Sequence, residues 1–409
     1  MKSGCFPMWQ SLSLSSLLGF MVAASLFGFT RRVRSFAQPW VTRCVLSDRN
    51  YILQIQKWHS GYLDKFFTVL SCVVSVPFYT GFLPLIFWSG HKQLFRQMTF
   101  LMAFCDYIGN SIKDVISAPR PSSPPVRRVT STEDEKENAM EYGLPSSHAL
   151  NTVCLAGYFL HYGMTFGHEM DGFSVLIWFS VVCLFVFLVS IGRVYLGMHG
   201  FIDVAAGIII GLFILAFWLM VHDHINNFVV FGENVKYFWA CLSFLLFFAY
   251  PTPELPTPSF SYHTAFNGVV FGIVSGTQQT HVLFHSNDVP PILTPQLSLL
   301  VFLGRMLVGI PTILLVKFCS KALAKWLLPV VCNTLGIPIR SSGYVPALKE
   351  IDRSKRKPDN KQNGYLQRAV SCLRHKTYDV DSGIRFFQYV GLGWSIVDLV
   401  PHIFSLLNL

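Results

Sequence analysis

Long apolar runs separated by short polar stretches limit this chain to a few kinds of fold. Ten of the runs are long enough to cross the roughly 30 Å hydrocarbon core of a membrane as helices. They lie at 8–30, 66–89, 97–117, 148–165, 173–192, 200–221, 236–250, 264–284, 297–317 and 386–408. With 52% hydrophobic and 13% charged residues, the chain of 409 residues is too apolar for an ordinary soluble domain. The pattern predicts an all-α polytopic membrane protein of about ten spans.

Two segments are open to more than one interpretation. The stretch 319–337 is either an eleventh span or an amphipathic helix at the membrane surface, where Lys321 and Lys325 would be favourable. The first run, 8–30, has the length of a signal peptide, but arginines at 31–34 follow it where small residues would mark a cleavage site. We therefore expect a retained membrane anchor.

Charge and cysteine usage argue against several classes of function. The net charge of +10 comes largely from basic residues in loops, above all at 31–65 and 340–385. In a membrane protein such residues act as topology signals and contact anionic lipid, so they do not indicate nucleic-acid binding. The ten cysteines are scattered and form no CxxC pair. They indicate small buried residues or free thiols rather than a disulfide framework or a zinc site.

Two hydrophilic loops interrupt the apolar pattern. Residues 118–147 begin with the proline-rich APRPSSPP and continue through the acidic TEDEKEN, which predicts an ordered turn followed by an exposed, mobile segment. Residues 340–385 are basic and hydrophilic, and we expect them to be disordered.

The order of the runs brings three polar stretches to one side of the membrane. The third run ends near Lys113 and Arg120, the fourth begins at His148, the fifth ends at Arg193 and the sixth begins near Gly200. Because each span reverses the side, all four ends lie on the same side. The converging stretches are KDVISAPRP at 113–121, PSSH at 145–148 and GRVYLGMHGFID at 192–203.

The first stretch supplies two cations. Lys113 and Arg120 are seven residues apart, about two helical turns, which would put both on one helix face. Ala118-Pro119 is expected to end the helix first, so that Arg120 bends over the pocket. Its guanidinium can bind a phosphate through two hydrogen bonds, while Lys113 supplies a point charge.

The PSSH stretch predicts the start of a helix, with Pro145 at a position where its missing N–H costs nothing. The hydroxyls of Ser146 and Ser147 and the free N–H groups of the first turn would then point at an anion. His148 lies beside them as a candidate acid.

The third stretch supplies a candidate nucleophile. His199 and Asp203 are four residues apart, so on a helix the carboxylate can bind one ring nitrogen and leave the other free. The carboxylate would fix the tautomer and stabilise the imidazolium that forms when the ring is phosphorylated. Arg193 completes a group of preorganised cations, from which most of the acceleration of phosphate-ester hydrolysis would come.

Each feature alone has a simpler explanation. Cations near span ends commonly extend to the membrane surface. A histidine and an aspartate four residues apart can be a packed polar pair or part of a metal site, and PSSH can be an ordinary helix cap. Their joint order, spacing and shared membrane side favour a phosphate site.

With these motifs the chain resembles the type 2 phosphatidic acid phosphatase and haloperoxidase superfamily. The motifs of that superfamily are a lysine followed by Arg-Pro, then Pro-Ser-Gly-His, then Ser-Arg followed by a histidine and an aspartate. The matching residues are Lys113, Arg120, Pro121, Pro145, Ser146, His148, Arg193, His199 and Asp203. Ser147 stands where glycine is usual, and Gly192 stands where serine is usual and cannot supply its hydroxyl.

The resemblance implies a mechanism and a division of the chain. His199 would attack phosphorus to form a phosphohistidine, Asp203 would orient His199, and His148 would protonate the leaving alkoxide and then activate water. The groups implied to hold the phosphate are Lys113, Arg120, Ser146, Ser147 and Arg193. No metal and no cofactor is implied. A catalytic core of six helices would occupy 1–221, and 222–409 would be a C-terminal membrane extension with the basic loop at 340–385.

Further stretches narrow the resemblance to the long-chain-base phosphate phosphatases, also called sphingosine-1-phosphate phosphatases. These stretches are APRP, GLPSSHALNT, GRVYLGMHGFID, the apolar runs after residue 235 and the terminal FSLLNL. The narrower resemblance implies a phosphorylated sphingoid base as the substrate and membrane lipids as the surroundings. It also implies the endoplasmic reticulum membrane, with the active site facing the lumen. The sequence identifies no protein partner.

Alternatives remain for orientation and for function. Loop charge alone would put the catalytic side in the cytosol, because 31–65 and 340–385 are basic and fall on that side. The protein could also be a phosphatase of another lipid or polyisoprenyl (di)phosphate. A third possibility is a non-catalytic lipid-binding or transport protein with the same fold.

Overall fold

The structure is a computed structural model that describes residues 7–130, 133–166, 171–285, 299–341 and 378–409. The described chain is almost entirely helical. Its helices are α1 (Met8–Leu26), α2 (Phe29–Gln56), α3 (Gly61–Ser71), α4 (Val76–Trp88), α5 (Lys92–Ile116), α6 (Glu133–Asn138), α7 (Ser147–Phe166), α8 (Gly172–Tyr195), α9 (Phe201–Phe231), α10 (Val235–Ala249), α11 (Ser259–Thr280), α12 (Leu299–Thr334), α13 (Val380–Trp394) and α14 (Val400–Leu407). Two short strands, β1 (Ile339–Arg340) and β2 (Tyr378–Asp379), pair in parallel. The predicted all-α class is confirmed.

Several of these helices can cross a membrane. Five segments of the described chain are long and apolar enough, namely α1, α8, α9, α12 and the combined Val380–Leu407. The pair α3 and α4, bent by 55°, makes a sixth if it forms one span. Every predicted run contains a helix, but α5, α7 and α11 are too polar for this criterion and α10 is too short. The polytopic membrane class is confirmed, and the count of ten spans stays a prediction.

The segment 319–337 is not a separate element. Helix α12 runs without a break from Leu299 to Thr334, a length of 36 residues. At about 1.5 Å per residue, it is longer than the hydrocarbon core of a membrane. The predicted run at 297–317 and the ambiguous stretch after it are therefore one helix.

Most of the basic region 31–65 is helix α2 rather than loop. Its apolar residues Val41, Val45 and Ile52 are buried. Val41 and Val45 pack with Ala118 and Leu144, and Ile52 packs against residues at the ends of α7 and α8. Helix α2 therefore lies across the face on which the three polar stretches meet.

The acidic part of 118–147 was predicted to be exposed, and the prediction is wrong for Glu135 and Glu141, whereas Lys136 and Glu137 are exposed. Residues Glu133–Asn138 form helix α6. The side chains of Glu135 and Glu141 point inward, with only 5% and 6% of each residue exposed. Both carboxylates approach buried cations, which explains why they leave water. Most of the basic loop 340–385 lies outside the described residues, since 342–377 are not described.

One hydrophobic core joins the N-terminal and C-terminal halves of the described chain. It contains Phe95 of α5, Ile214 of α9, Ile273 of α11 and Leu392 of α13. The division at 221 stays a prediction, but the C-terminal helices contribute directly to the packing around α5.

Candidate active site

The three polar stretches meet in the folded chain. Arg120 Nη1 lies 3.0 Å from His199 Nε2, which joins the first stretch to the third. The backbone N–H of Ser146 donates to the backbone oxygen of Asp203 at 2.9 Å, which joins the second to the third. The positive charges of Lys113, Arg120 and Arg193 act on both His148 and His199. We call these three cations and two histidines the cationic pocket.

Arg120 is held by several backbone groups. Helix α5 ends at Ile116 and Ser117 adopts a left-handed conformation, so the chain leaves the helix before Arg120, as predicted. The guanidinium donates to the backbone oxygens of Asn138 (2.7 Å), Glu141 (2.8 Å) and Met198 (2.5 Å). Burial lowers the pKa of Arg120 to about 10, so it remains a cation at neutral pH. These bonds fix its position before any ligand binds.

The PSSH stretch begins helix α7 later than predicted. The helix starts at Ser147, and the hydroxyl of Ser146 accepts from the N–H of Ala149 at 3.5 Å, which makes Ser146 the cap. Pro145 therefore precedes the cap and is not in the first helical turn. Ser146 is fully buried, and Ser147 and His148 line a cavity.

His199 does not lie on a helix, contrary to the prediction. Helix α8 ends at Tyr195 and α9 begins at Phe201, so His199 belongs to the turn between them. Gly197 makes this turn possible because its φ is +70° and an added Cβ would lie 2.3 Å from the backbone oxygen of Arg127.

Asp203 faces His199 without a direct hydrogen bond. Asp203 Oδ2 accepts from the N–H of Gly200 at 2.8 Å and lies 3.6 Å from His199 Nδ1. If Nε2 accepts from Arg120, the ring proton is on Nδ1, on the side of the carboxylate. Burial and the charges of Arg120, Arg193 and Lys113 hold the pKa of His199 well below its ordinary value. The ring is therefore neutral at pH 7, and in this tautomer the lone pair of Nε2 points toward Arg120.

Arg193 is completely buried and has a partner that the motif did not indicate. Its Nη1 donates to the hydroxyl of Ser71, at the end of α3, at 3.2 Å. A Cβ at Gly192 would lie 2.6 Å from the ring of Phe67, so glycine makes room for α3. The Ser71 hydroxyl therefore lies beside Arg193 and can take the place of the hydroxyl that Gly192 lacks.

Two glutamates complete the cationic pocket. Lys113 forms a buried ion pair with Glu141, and Arg120 Nη2 lies 3.9 Å from the same carboxylate. Glu135 lies 4.0 Å from Arg193 Nη1. Sequence reasoning missed both glutamates and Ser71. Glu135 had a signal in the sequence, because it belongs to the acidic run that follows the cations of the first stretch. Glu141 and Ser71 had no comparable signal.

The arrangement combines a neutral imidazole, a second imidazole and three cations in a buried pocket. Such a pocket can bind a phosphate and stabilise the charge of its transition state. Among the described residues, no group of three or more His, Cys, Asp or Glu side chains is arranged to hold a metal ion.

Comparisons with known proteins agree with the motifs. The family model of the PAP2 superfamily matches residues 95–227. Lipid phosphate phosphatase delta of Arabidopsis thaliana is 58% identical over 403 residues, which cover 98% of this chain and 97% of the relative. A dihydrosphingosine 1-phosphate phosphatase of Schizosaccharomyces pombe is 27% identical over 368 residues, 88% of each chain.

Sphingosine-1-phosphate phosphatase 1 of Rattus norvegicus is 27% identical over 344 residues, which cover 81% of this chain and 69% of the relative. No solved structure shows a significant match to the chain. The chain therefore belongs to the lipid phosphate phosphatases of the PAP2 superfamily, and the enzyme class that its motifs predicted, a lipid phosphatase, is confirmed.

Proposed function

We propose that the protein hydrolyses sphingoid long-chain-base 1-phosphates to the free base and inorganic phosphate through a phosphohistidine on His199. The observation that carries the proposal is the buried, neutral His199 with Arg120 3.0 Å from its Nε2. Relatives whose names state activity on sphingosine or dihydrosphingosine 1-phosphate support the substrate class.

The first half of the reaction forms the covalent intermediate. A phosphate bound by Lys113, Arg120 and Arg193, with Ser146 and Ser147 nearby, would take over the hydrogen bond that Arg120 Nη1 donates to His199 Nε2. The freed lone pair of Nε2 would then face the phosphorus. As the bond from nitrogen to phosphorus forms, the bond from phosphorus to the lipid oxygen breaks. The negative charge of the bound phosphate offsets the surrounding cations, so that His148 takes up a proton in the complex. His148 donates this proton to the leaving oxygen, and Asp203 stabilises the positive ring of His199.

The second half of the reaction regenerates the enzyme. His148, now neutral, takes a proton from a water molecule, and the resulting hydroxide attacks the phosphohistidine. The bond from nitrogen to phosphorus breaks, phosphate leaves with the new oxygen, and His199 returns to its neutral form. The cations stabilise the charge on the equatorial oxygens in both steps.

The test is phosphate release from the purified protein in detergent with EDTA present. Substrates are dihydrosphingosine 1-phosphate, phosphatidic acid and a polyisoprenyl diphosphate. We expect selective release from the sphingoid substrate and none from His199→Ala, while His224→Ala, an exposed histidine on the same helix as Asp203, keeps full activity. Selective release from another substrate would contradict the substrate class but keep the mechanism.

A second readout tests the intermediate directly. His148→Ala should lower the rate by about 10²–10⁴-fold, because it removes the general acid and base. With substrate labelled in its phosphate, this variant should accumulate label that is lost in acid and stable in base, as expected of phosphohistidine. The absence of label from a variant that still turns over would rule out the covalent step.

We place the enzyme in the endoplasmic reticulum membrane with the cationic pocket facing the lumen. The resemblance to the long-chain-base phosphate phosphatases supports this location. An N-glycosylation acceptor inserted beside Trp58, an exposed residue on the face of the pocket, should be modified in cells. An acceptor that stays unmodified there, while one on the opposite face is modified, would reverse the orientation.

A further inference from the structure

A cavity beside His148 contains two carboxylates that the phosphatase mechanism does not use. The cavity is lined by Ser147, His148, Asp106 and Glu141, among others. Asp106 lies two helical turns before Lys113 on α5, so both side chains face the same way. Carboxylates repel a phosphate, so their place next to its binding groups needs another explanation.

The same cavity continues into an apolar groove. Four residues, Val76, Tyr79, Tyr262 and Phe266, line both spaces. The walls of the groove come from α4, α5, α11 and α13. Cations, carboxylates and an apolar groove therefore follow one another in that order away from His199.

Glu141 already forms ion pairs with the cations that would bind phosphate. Its Oε2 pairs with Lys113 and lies 3.9 Å from Arg120 Nη2, and its Oε1 accepts from the hydroxyl of Ser259 at 3.2 Å. Asp106 Oδ1 accepts from Asn110 at 2.9 Å, and its Oδ2 is buried without a hydrogen-bond partner in the described part of the chain. A cation that entered the cavity would satisfy both carboxylates.

We propose that Glu141, assisted by Asp106, binds the ammonium group of the sphingoid base and so selects zwitterionic substrates. The proposal rests on the proposed function above and names the group that reads the substrate. In a sphingoid base phosphate the phosphate is on carbon 1, the ammonium on carbon 2 and the hydrocarbon chain beyond them. This order matches that of the protein, in which the cations would bind the phosphate, the carboxylates the ammonium and the apolar groove the hydrocarbon chain.

Selection follows from an exchange of ion pairs. When the phosphate binds Lys113 and Arg120, Glu141 loses its cations and stays buried. A substrate with an ammonium restores a partner, whereas a phosphate lipid without one leaves a buried, unpaired carboxylate, which is unfavourable. A site built around such a group rejects the analogue that lacks its partner.

The test compares two substrates that differ in the amine. 3-Deoxydihydrosphingosine 1-phosphate, a sphingoid substrate, and octadecyl phosphate share the phosphate and an eighteen-carbon chain, and they differ only in the ammonium, which the second lacks. We expect the wild-type protein to favour the first in kcat/KM. Glu141→Gln should lower that preference by about 10- to 100-fold, because it removes one charge-assisted contact. The loss in kcat/KM should fall on the sphingoid substrate, because only that substrate has an ammonium for Glu141 to bind. Octadecyl phosphate should lose nothing, because without the carboxylate Lys113 is free to bind its phosphate.

Controls separate selection from structure. Glu233→Gln changes an exposed glutamate just beyond the end of helix α9 and should leave the preference unchanged. Equal losses on both substrates in Glu141→Gln would show that Glu141 only supports the fold and would overturn the proposal. Should Glu141→Gln fail to fold, Asp106→Asn decides, because it should also lower the preference, and an unchanged preference would overturn the proposal.

The same data distinguish this inference from the proposed function. A wild-type protein that hydrolyses phosphatidic acid but not the sphingoid substrate contradicts the proposed function before any variant is compared. A wild-type protein that hydrolyses both test substrates equally, or variants that keep the wild-type preference, contradict the recognition by Glu141 alone.

Discussion

At the scale of single residues, burial and the surrounding cations set the charge of His199. Burial, and after it the charges of Arg120, Arg193 and Lys113, lower the pKa of His199 below the ordinary value of about 6.5. The neutral ring that the proposed attack on phosphorus requires therefore persists as the pH falls past that value. Arg120→Gln removes the nearest cation, so the pKa of His199 should rise and the acidic limb of the kcat/KM profile should move to higher pH.

The comparison with a matched variant isolates this effect. Arg127→Gln removes a guanidinium that pairs with Asp64 and does not contact His199, so its acidic limb should stay at the wild-type position. The substrate phosphate, with a pKa of about 6, contributes equally to all three profiles. Each kcat/KM profile is normalised to its own maximum, because Arg120→Gln should also weaken phosphate binding and so lower the whole profile. Coinciding acidic limbs for Arg120→Gln and wild type would contradict the proposed effect on His199.

The site residues that belong to sequence motifs could be predicted. The site residues that reach the pocket only through packing of the folded chain could not. Lys113, Arg120 and His199 lie near the ends of apolar runs, so the order of the spans was enough to bring them together. Glu141 and Ser71 belong to none of the motifs, so their distance along the sequence from these residues indicated nothing. Their roles depend on how the loop after Arg120 folds back and where α3 ends, which local sequence does not determine.

At the scale of elements, helix α2 stabilises the catalytic face through Gln56. The amide of Gln56 donates to the backbone oxygens of Arg127 (2.7 Å) and Tyr195 (2.9 Å) and accepts from the N–H of Arg127 (2.9 Å). Gln56→Leu would leave these buried and partly buried groups unsatisfied and should cost about 2–4 kcal/mol. Thermal unfolding in detergent should show a lower Tm, with a parallel loss of activity.

Gln54 offers a control on the same helix. Its side chain is exposed, so Gln54→Leu should leave Tm and activity close to those of the wild type. If Gln56→Leu unfolds at the wild-type temperature, α2 is not a supporting element of the pocket.

Helix α2 was not predicted because its many charged residues outweigh the few apolar residues that recur at helical spacing. Val41, Val45 and Ile52 recur at helical spacing, but the surrounding arginines and lysines made the segment read as a loop. The opposite error occurred in α12, where Lys321 and Lys325 suggested a boundary inside a continuous helix. In both places burial against other helices, rather than local hydropathy, decided the structure.

At the scale of the whole molecule, the candidate site depends on the C-terminal helices. Ser259 of α11 binds Glu141, and Tyr262 and Phe266 of the same helix line both cavities. Helix α11 in turn packs closely on α13. Both helices were predicted from the sequence as membrane spans, but nothing in their composition indicated contact with the pocket.

Gly272 tests this dependence from a distance. A Cβ there would lie 2.2 Å from the backbone oxygen of Val390 and 2.7 Å from the N of Trp394, as expected where small residues let two membrane helices approach. Gly272→Leu should push α13 away from α11, shift the walls of the groove and raise KM for the lipid substrate while lowering Tm. Gly163→Leu, on an exposed face of α7 with no atom within 4 Å, should change neither. A Gly272→Leu protein with wild-type KM and Tm would mean that the C-terminal helices do not support the site, and the groove would then have to bind something other than the substrate chain.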